Sequence, residues 1–285
     1  VKLEHARGTL ELEGCIVMGI VNRTPDSFYD GGRMELDEIV AHALSLVEQG
    51  AGVLDIGAVR AGPGTPVSEQ EEIDRLVPVV EVLANVTDVP LSIETGRPRV
   101  AHAAFAAGAA ILNDVTGLVH EEIASVCADA GGALVLMHNG GQLRGRPLNP
   151  RYEDIVEAVI AEWRRLEAIA AAAGIGSERL VVDAGLDFGK TTFHSLELMR
   201  RLDEQVAYGR PLLLAPSRKD VVGESLALPP NERLEGTLAL VALGVLGGVS
   251  IVRVHDVAAS ARVVAMVETV MGTRRPSAPI RGLWE

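Results

Sequence analysis

Residues 48–56, Glu-Gln-Gly-Ala-Gly-Val-Leu-Asp-Ile, end a helical pattern at a glycine and enter an apolar strand almost at once. The same device recurs at 106–114 (AAGAAILND) and 246–254 (LGGVSIVRV). Glycine supplies the left-handed turn that closes a helix, and a short apolar run behind it reads as a strand buried on both faces. Worked outward, the pattern predicts strands over Ile16–Val21, Val53–Ile56, Leu91–Ile93, Ala110–Leu112, Ala133–Met137, Leu180–Val182, Leu212–Ala215 and Ser250–Val254. Helices are expected at Asp37–Gln49, Glu69–Ala84, Pro98–Ala107, Glu153–Ala173, about His194–Ala207, Glu232–Leu246 and Val257–Met271. Eight strand–helix units without a dividing linker point to one domain, a closed α/β (β/α)8 TIM barrel over residues 1–285, with an open doubly wound sheet as the alternative. Residues 1–14, carrying TLELEG, read as a hairpin that plugs the barrel's bottom. Long loops after the first, second and fifth strands would then share the C-terminal face, where such barrels do chemistry.

Composition narrows the function. The formal net charge is −13, which argues against general binding of nucleic acid or acidic membrane surfaces. With 48% hydrophobic but only 3% aromatic residues, the core must be built of Val, Leu, Ile and Ala. Cys15 and Cys127 fit neither a disulfide framework nor a metal spacing and read as core thiols. No basic-then-apolar leader and no apolar run of ~18 residues is present, so a soluble cytoplasmic protein is expected.

Against that acidic background, cations gather behind the last two strands. Ser217-Arg218-Lys219 and Arg253-Val254-His255-Asp256 read as a local anion site. Arg253 and His255, two apart on a strand, would share a face and clamp a diphosphate. Asn22 leaves the first strand in MGIVNRTPDSFYDGG (residues 18–32), where its amide can meet a metal ion or an anion. Asn22 and Asp26 also read as turn-capping residues. ILNDVTG (residues 111–117) places Asn113-Asp114 at a strand end, suited to a heterocycle edge or to capping a helix. VVDAGLDFGKT (residues 181–191) offers Asp183 as acceptor for a guanidine-like edge, Phe188 as lid or aromatic platform or else as a rim anchor, and Lys190. The apolar run 237–249 reads as a helix buried against neighbours or at a dimer interface.

Taken in order, MGIVNRTPDSFYDGG, ILNDVTG, DFGKT, PSRKD and RVHDV resemble dihydropteroate synthase from about residue 15 to 270. That family condenses 6-hydroxymethyl-7,8-dihydropterin diphosphate with p-aminobenzoate, releasing diphosphate, on a (β/α)8 barrel. The resemblance implies a pterin against Asn113, Asp183 and Lys219, with Glu94 on the same wall. It implies diphosphate and Mg²⁺ at Asn22, Arg253 and His255, with Lys219, Arg253 and His255 as the catalytic cations. The p-aminobenzoate side would be Phe188, Ser217 and Lys219. A homodimer is implied too.

Two departures stand out. The family's second-strand loop reads Gly-Glu-Ser-Thr-Arg-Pro-Gly, where this chain has Ala58-Val59-Arg60-Ala61-Gly62-Pro63-Gly64. Its third strand ends Asp-Thr, where this chain has Glu94-Thr95. The extra methylene tilts the pterin, changes the ligand or lets Glu94 fold back. Asp183-Ala184-Gly185 replaces Asp-Pro-Gly, a milder change. The sequence therefore reads as a dihydropteroate synthase, with a pterin- or phosphate-binding homologue of little activity as the alternative. A pterin-dependent methyltransferase barrel fits SRKD and RVHDV less well.

Overall fold

The computed structural model describes residues 1–22, 36–59, 67–141 and 149–279. Asp26, Arg60 and the rest of the altered second-strand loop from residue 60 lie outside them. The chain opens with an antiparallel pair, β1 (Lys2–His5) and β2 (Gly8–Glu11). The barrel strands are β3 (Ile16–Asn22), β4 (Val53–Gly57), β5 (Leu91–Glu94), β6 (Ile111–Asp114), β7 (Ala133–Met137), β8 (Leu180–Asp183), β9 (Leu212–Leu214) and β10 (Ile251–Val254). All are parallel, and β10 pairs with β3 to close an eight-stranded barrel. Around it run α1 (Leu36–Glu48), α2 (Glu69–Val86), α3 (Pro98–Ala106), α4 (Glu122–Asp129), α5 (Ile155–Ala172), α6 (Thr192–Arg200), α7 (Leu202–Val206), α8 (Asp220–Leu226), α9 (Leu234–Leu246) and α10 (Val257–Met271). The barrel is therefore the closed (β/α)8 form and not the open sheet.

Alternation along the strands divides two cores. Val53, Ile111, Val135, Val181 and Leu213 face inward, while Leu54, Leu112, Leu134, Val182 and Leu214 face the helices. The inner set includes Leu3 and Leu12 of the hairpin, beside the strand-start residues Ile16, Ala133 and Ile251. Leu3 is fully buried, a stabilisation of about 1.5–3 kcal/mol for one leucine. The hairpin thus closes the N-terminal end, leaving the opposite end for ligands.

Helix boundaries differ from the sequence pattern where side chains intervene. The helix expected over His194–Ala207 breaks at Arg201, which pairs with Asp154 at 2.8 Å and Glu204 at 2.6 Å. Asp154 also caps α5, moving its start from Glu153 to Ile155. A 3-10 turn at Pro230–Glu232 delays α9 to Leu234. Helices α4 and α8, absent from the expectation, have 8 and 7 residues, too short for periodicity to register. Both cysteines are free, and burial pushes each thiol up to about 12, as expected of inert core residues. No helix among the described residues is long and apolar enough to cross a membrane.

Candidate functional site

At the C-terminal end of the barrel a buried carboxylate organises four strands. Asp55 of β4 is fully buried and lies in register with Ser92 of β5. Its carboxylate accepts from the Ser92 hydroxyl, from Asn113 Nδ2 of β6 at 3.1 Å and from Arg253 Nε of β10 at 2.6 Å. Arg253 also donates from Nη2 to Glu94 at the end of β5. Burial opposes the charge on Arg253, but Asp55 and Glu94 overcome it and hold the guanidinium above its ordinary value. Burial likewise pushes the Glu94 carboxyl up, with Arg253 opposing. The longer Glu94 side chain thus reaches the Arg253 guanidinium.

Asp114, next to Asn113, points the other way. It accepts from the Thr116 and Leu118 amides at 2.8 and 2.6 Å and so caps its own loop. Asn113 alone joins the interior cluster, as strand alternation requires.

On the far wall Asp183 ends β8. Its backbone carbonyl accepts from Trp163 Nε1 of α5 at 3.1 Å, and Oδ1 accepts from the Gly185 amide at 2.7 Å. Lys219 reaches across from behind β9 and donates to the Leu186 carbonyl at 2.8 Å, its ammonium 5.0 Å from the Phe188 ring centre. Burial lowers Lys219 and raises Asp183, and each opposes the other's shift. The Phe188 ring thus lies beneath a cation.

The loop carrying Phe188 is held from below by Lys190. That lysine is 5% exposed and donates to the carbonyls of His138, Gly185 and Phe188 at 3.0, 3.0 and 2.9 Å. Its ammonium also lies 2.7 Å from His138 Nδ1. Burial, then the Lys190 charge, push His138 down to about 3, so its ring is neutral and Nδ1 accepts. Gly185 and Gly189 take φ of +64° and +60°, and a Cβ at either would strike backbone carbonyls at His138 or Asn139.

The cations behind the last strands each have protein partners of their own. Strand β10 ends at Val254; Arg253 meets Asp55 and Glu94, and His255 Nδ1 lies 2.9 Å from Ser217 Oγ. Desolvation, then Arg253, push His255 down to about 4, leaving a neutral ring even though one edge faces solvent. Arg218 makes two bonds to Asp256, of 2.9 and 2.8 Å, so its charge serves that pair. Asn22 ends β3 in register with Gly57, where a Cβ would meet Asn22 Oδ1 at 3.5 Å and Glu94 Cβ at 3.8 Å.

The site thus brings together Asn113, Asp183, Lys219, Phe188, Arg253 and Glu94, with Asn22 at one side and Ser217–His255 on the rim. Sequence reasoning missed Asp55, though a lone acidic residue inside the apolar run Val-Leu-Asp-Ile is a readable signal. It also left Lys190 unpartnered.

The pterin-binding-enzyme family model matches residues 18–255. The chain belongs to the pterin-binding enzyme family. It is 45% identical over 276 residues to the inactive dihydropteroate synthase 2 of Mycobacterium tuberculosis (strain ATCC 25618 / H37Rv), covering 94% of this chain and 87% of the relative. It is 41% identical over 262 residues to the dihydropteroate synthase of Bacillus subtilis (strain 168), covering 91% and 90%. The structure of the Yersinia pestis dihydropteroate synthase with a sulfonamide drug complex superposes with a TM-score of 0.90 at 37% identity, covering 96% of this chain and all of that one. Membership in the pterin-binding family agrees with the resemblance and with the barrel. The relatives divide on turnover, since one is named inactive and the others as synthases.

Proposed function

We propose that this chain is a pterin-binding protein of the dihydropteroate synthase family with little or no synthase turnover, acting in the cytoplasm by binding. The observation that carries this reading is the clasp of Arg253 between Asp55 and Glu94. Synthase chemistry ejects diphosphate from the pterin methylene before p-aminobenzoate attacks. Its barrier falls only if preorganised positive charge meets the developing anion. Here that guanidinium already serves two carboxylates, while the second-strand loop lacks the family's Glu, Ser, Thr and Arg. The residues expected to form a pterin floor, by contrast, stand together. Asp183 keeps acceptor capacity for the paired N–H groups of a pterin edge, and Asn113 and Lys219 supply donors beside it. The 45% identity to a relative named inactive supports the same reading.

Mg²⁺ finds a poor fit in what is described. Asn22 offers one neutral oxygen, and no group of three or more His, Cys, Asp or Glu side chains that could hold a metal occurs among the described residues. The binding reading needs no step through the ion. A homodimer is supported by apolar side chains left exposed on two adjoining helices, Leu243 and Leu246 on α9 with Met266 and Val270 on α10.

A working synthase with p-aminobenzoate against Phe188, Ser217 and Lys219 is the second reading, favoured by the 41% identity to a relative named as one. Genetics separates the two. A host lacking dihydropteroate synthase should not grow on this gene, although the protein is soluble. Replacing residues 59–62 by Glu-Ser-Thr-Arg, together with Glu94→Asp, should restore growth. Growth on the unaltered gene would establish the synthase instead.

A further inference from the structure

We infer that the pocket takes an uncharged pterin, a 6-substituted pterin without a diphosphate, and that Glu94 is the residue that sets this preference. The inference deepens the pterin-binding reading above and rests on it.

A diphosphate entering with its pterin needs unpaired positive charge at the barrel mouth. Among the described residues, each nearby basic side chain already has a partner. Arg253 lies between Asp55 and Glu94, Arg218 is bidentate to Asp256, and Arg233 meets Asp220 at 3.1 Å. Lys219 donates to the Leu186 carbonyl and sits in the field of Asp183. His255 shares its Nδ1 with Ser217.

Glu94 decides the balance because it is the carboxylate that reaches Arg253 by side-chain length alone. Asp55 is fixed in the strand by Ser92 and Asn113, whereas Glu94 stands at the end of β5 with only 9% of its side chain exposed. An aspartate there would fall one methylene short of the same guanidinium. With Glu94 in place, an incoming diphosphate must displace a buried carboxylate from Arg253 or lie against it, and like charges at close range cost affinity. A neutral heterocycle meets no such penalty, and its hydrogen-bonding edge still finds Asp183, Asn113 and Lys219. Specificity then arises from a repulsive element added to a retained floor.

The test is a pair of titrations on the full chain, with 6-hydroxymethyl-7,8-dihydropterin and with its diphosphate, followed by calorimetry. The wild-type protein should bind the uncharged form at least as tightly as the diphosphate. Glu94→Gln keeps the side chain's size and removes its charge, and should shift the affinity ratio toward the diphosphate by about tenfold or more. Glu94→Asp should shift it the same way, which covers the case of an unstable Gln variant. A wild-type preference for the diphosphate of about tenfold or more, or a ratio unmoved by both substitutions, overturns the inference. Failure of the folded wild-type protein to bind either form overturns the pterin-binding reading itself, and this inference with it.

Discussion

Lys190→Met is expected to lower stability by about 3 kcal/mol, which for a chain of this size is a fall of roughly 6–12 °C in melting temperature. The wild-type ammonium satisfies three backbone carbonyls and His138 Nδ1 in a place almost closed to water. Methionine fills the space but removes the donor from the His138 and Phe188 carbonyls and from His138 Nδ1, while the Gly185 carbonyl keeps the Phe188 amide. Each unsatisfied buried group costs about 1–3 kcal/mol, and removal of the lysine's own burial penalty offsets part of the sum. That penalty is real, since burial lowers the Lys190 ammonium well below its ordinary value. The loss should extend to ligand binding, because the same loop carries Phe188 and the Leu186 carbonyl that receives Lys219. Thermal unfolding followed by circular dichroism reads the effect. A change smaller than about 1 kcal/mol would mean that water or a relaxed loop replaces the lysine.

Lys219→Ala is expected to weaken pterin binding by about 100-fold or more, some 2.7 kcal/mol. The lysine is half-buried, aimed into the site from behind β9, and set between the Phe188 ring and Asp183. Its removal takes away a charge-assisted donor and the cation that most opposes the burial shift of Asp183. Lys219→Arg should not rescue binding, because the planar guanidinium cannot take the compact position above the ring. Titration of a fluorescent pterin against wild-type and variant protein, with melting curves alongside, separates a binding loss from an unfolded variant. Equal affinity in a folded Lys219→Ala protein would remove this lysine from the site.

Much of the barrel was legible because its signals are local. Glycine-closed helices followed by apolar runs placed all eight barrel strands to within a residue or two, and TLELEG marked the plugging hairpin. Asn113, Asp183 and Lys219 were legible for a related reason, since each polar group sits at the end of an apolar run. The partners of those groups were not local. Arg253 meets Asp55 across 198 residues, and Lys190 meets His138 across 52. Periodicity places a side chain on a face without saying which carboxylate it will find there. Thus Arg253 and His255 read as one clamp, with no local sign that Arg253 meets Asp55 and Glu94. Helices α4 and α8 escaped because one or two turns give no period to read.

The central claim is that a pterin binds where synthase chemistry has been lost. The most direct measurement is condensation by the purified protein with Mg²⁺, 6-hydroxymethyl-7,8-dihydropterin diphosphate and p-aminobenzoate, scored for dihydropteroate while pterin binding is measured on the same sample. The account predicts a bound pterin and turnover below about 0.1 s⁻¹, a decade under the usual lower range for enzymes. Dihydropteroate formed at about 1 s⁻¹ or faster would contradict it and make the chain a working synthase.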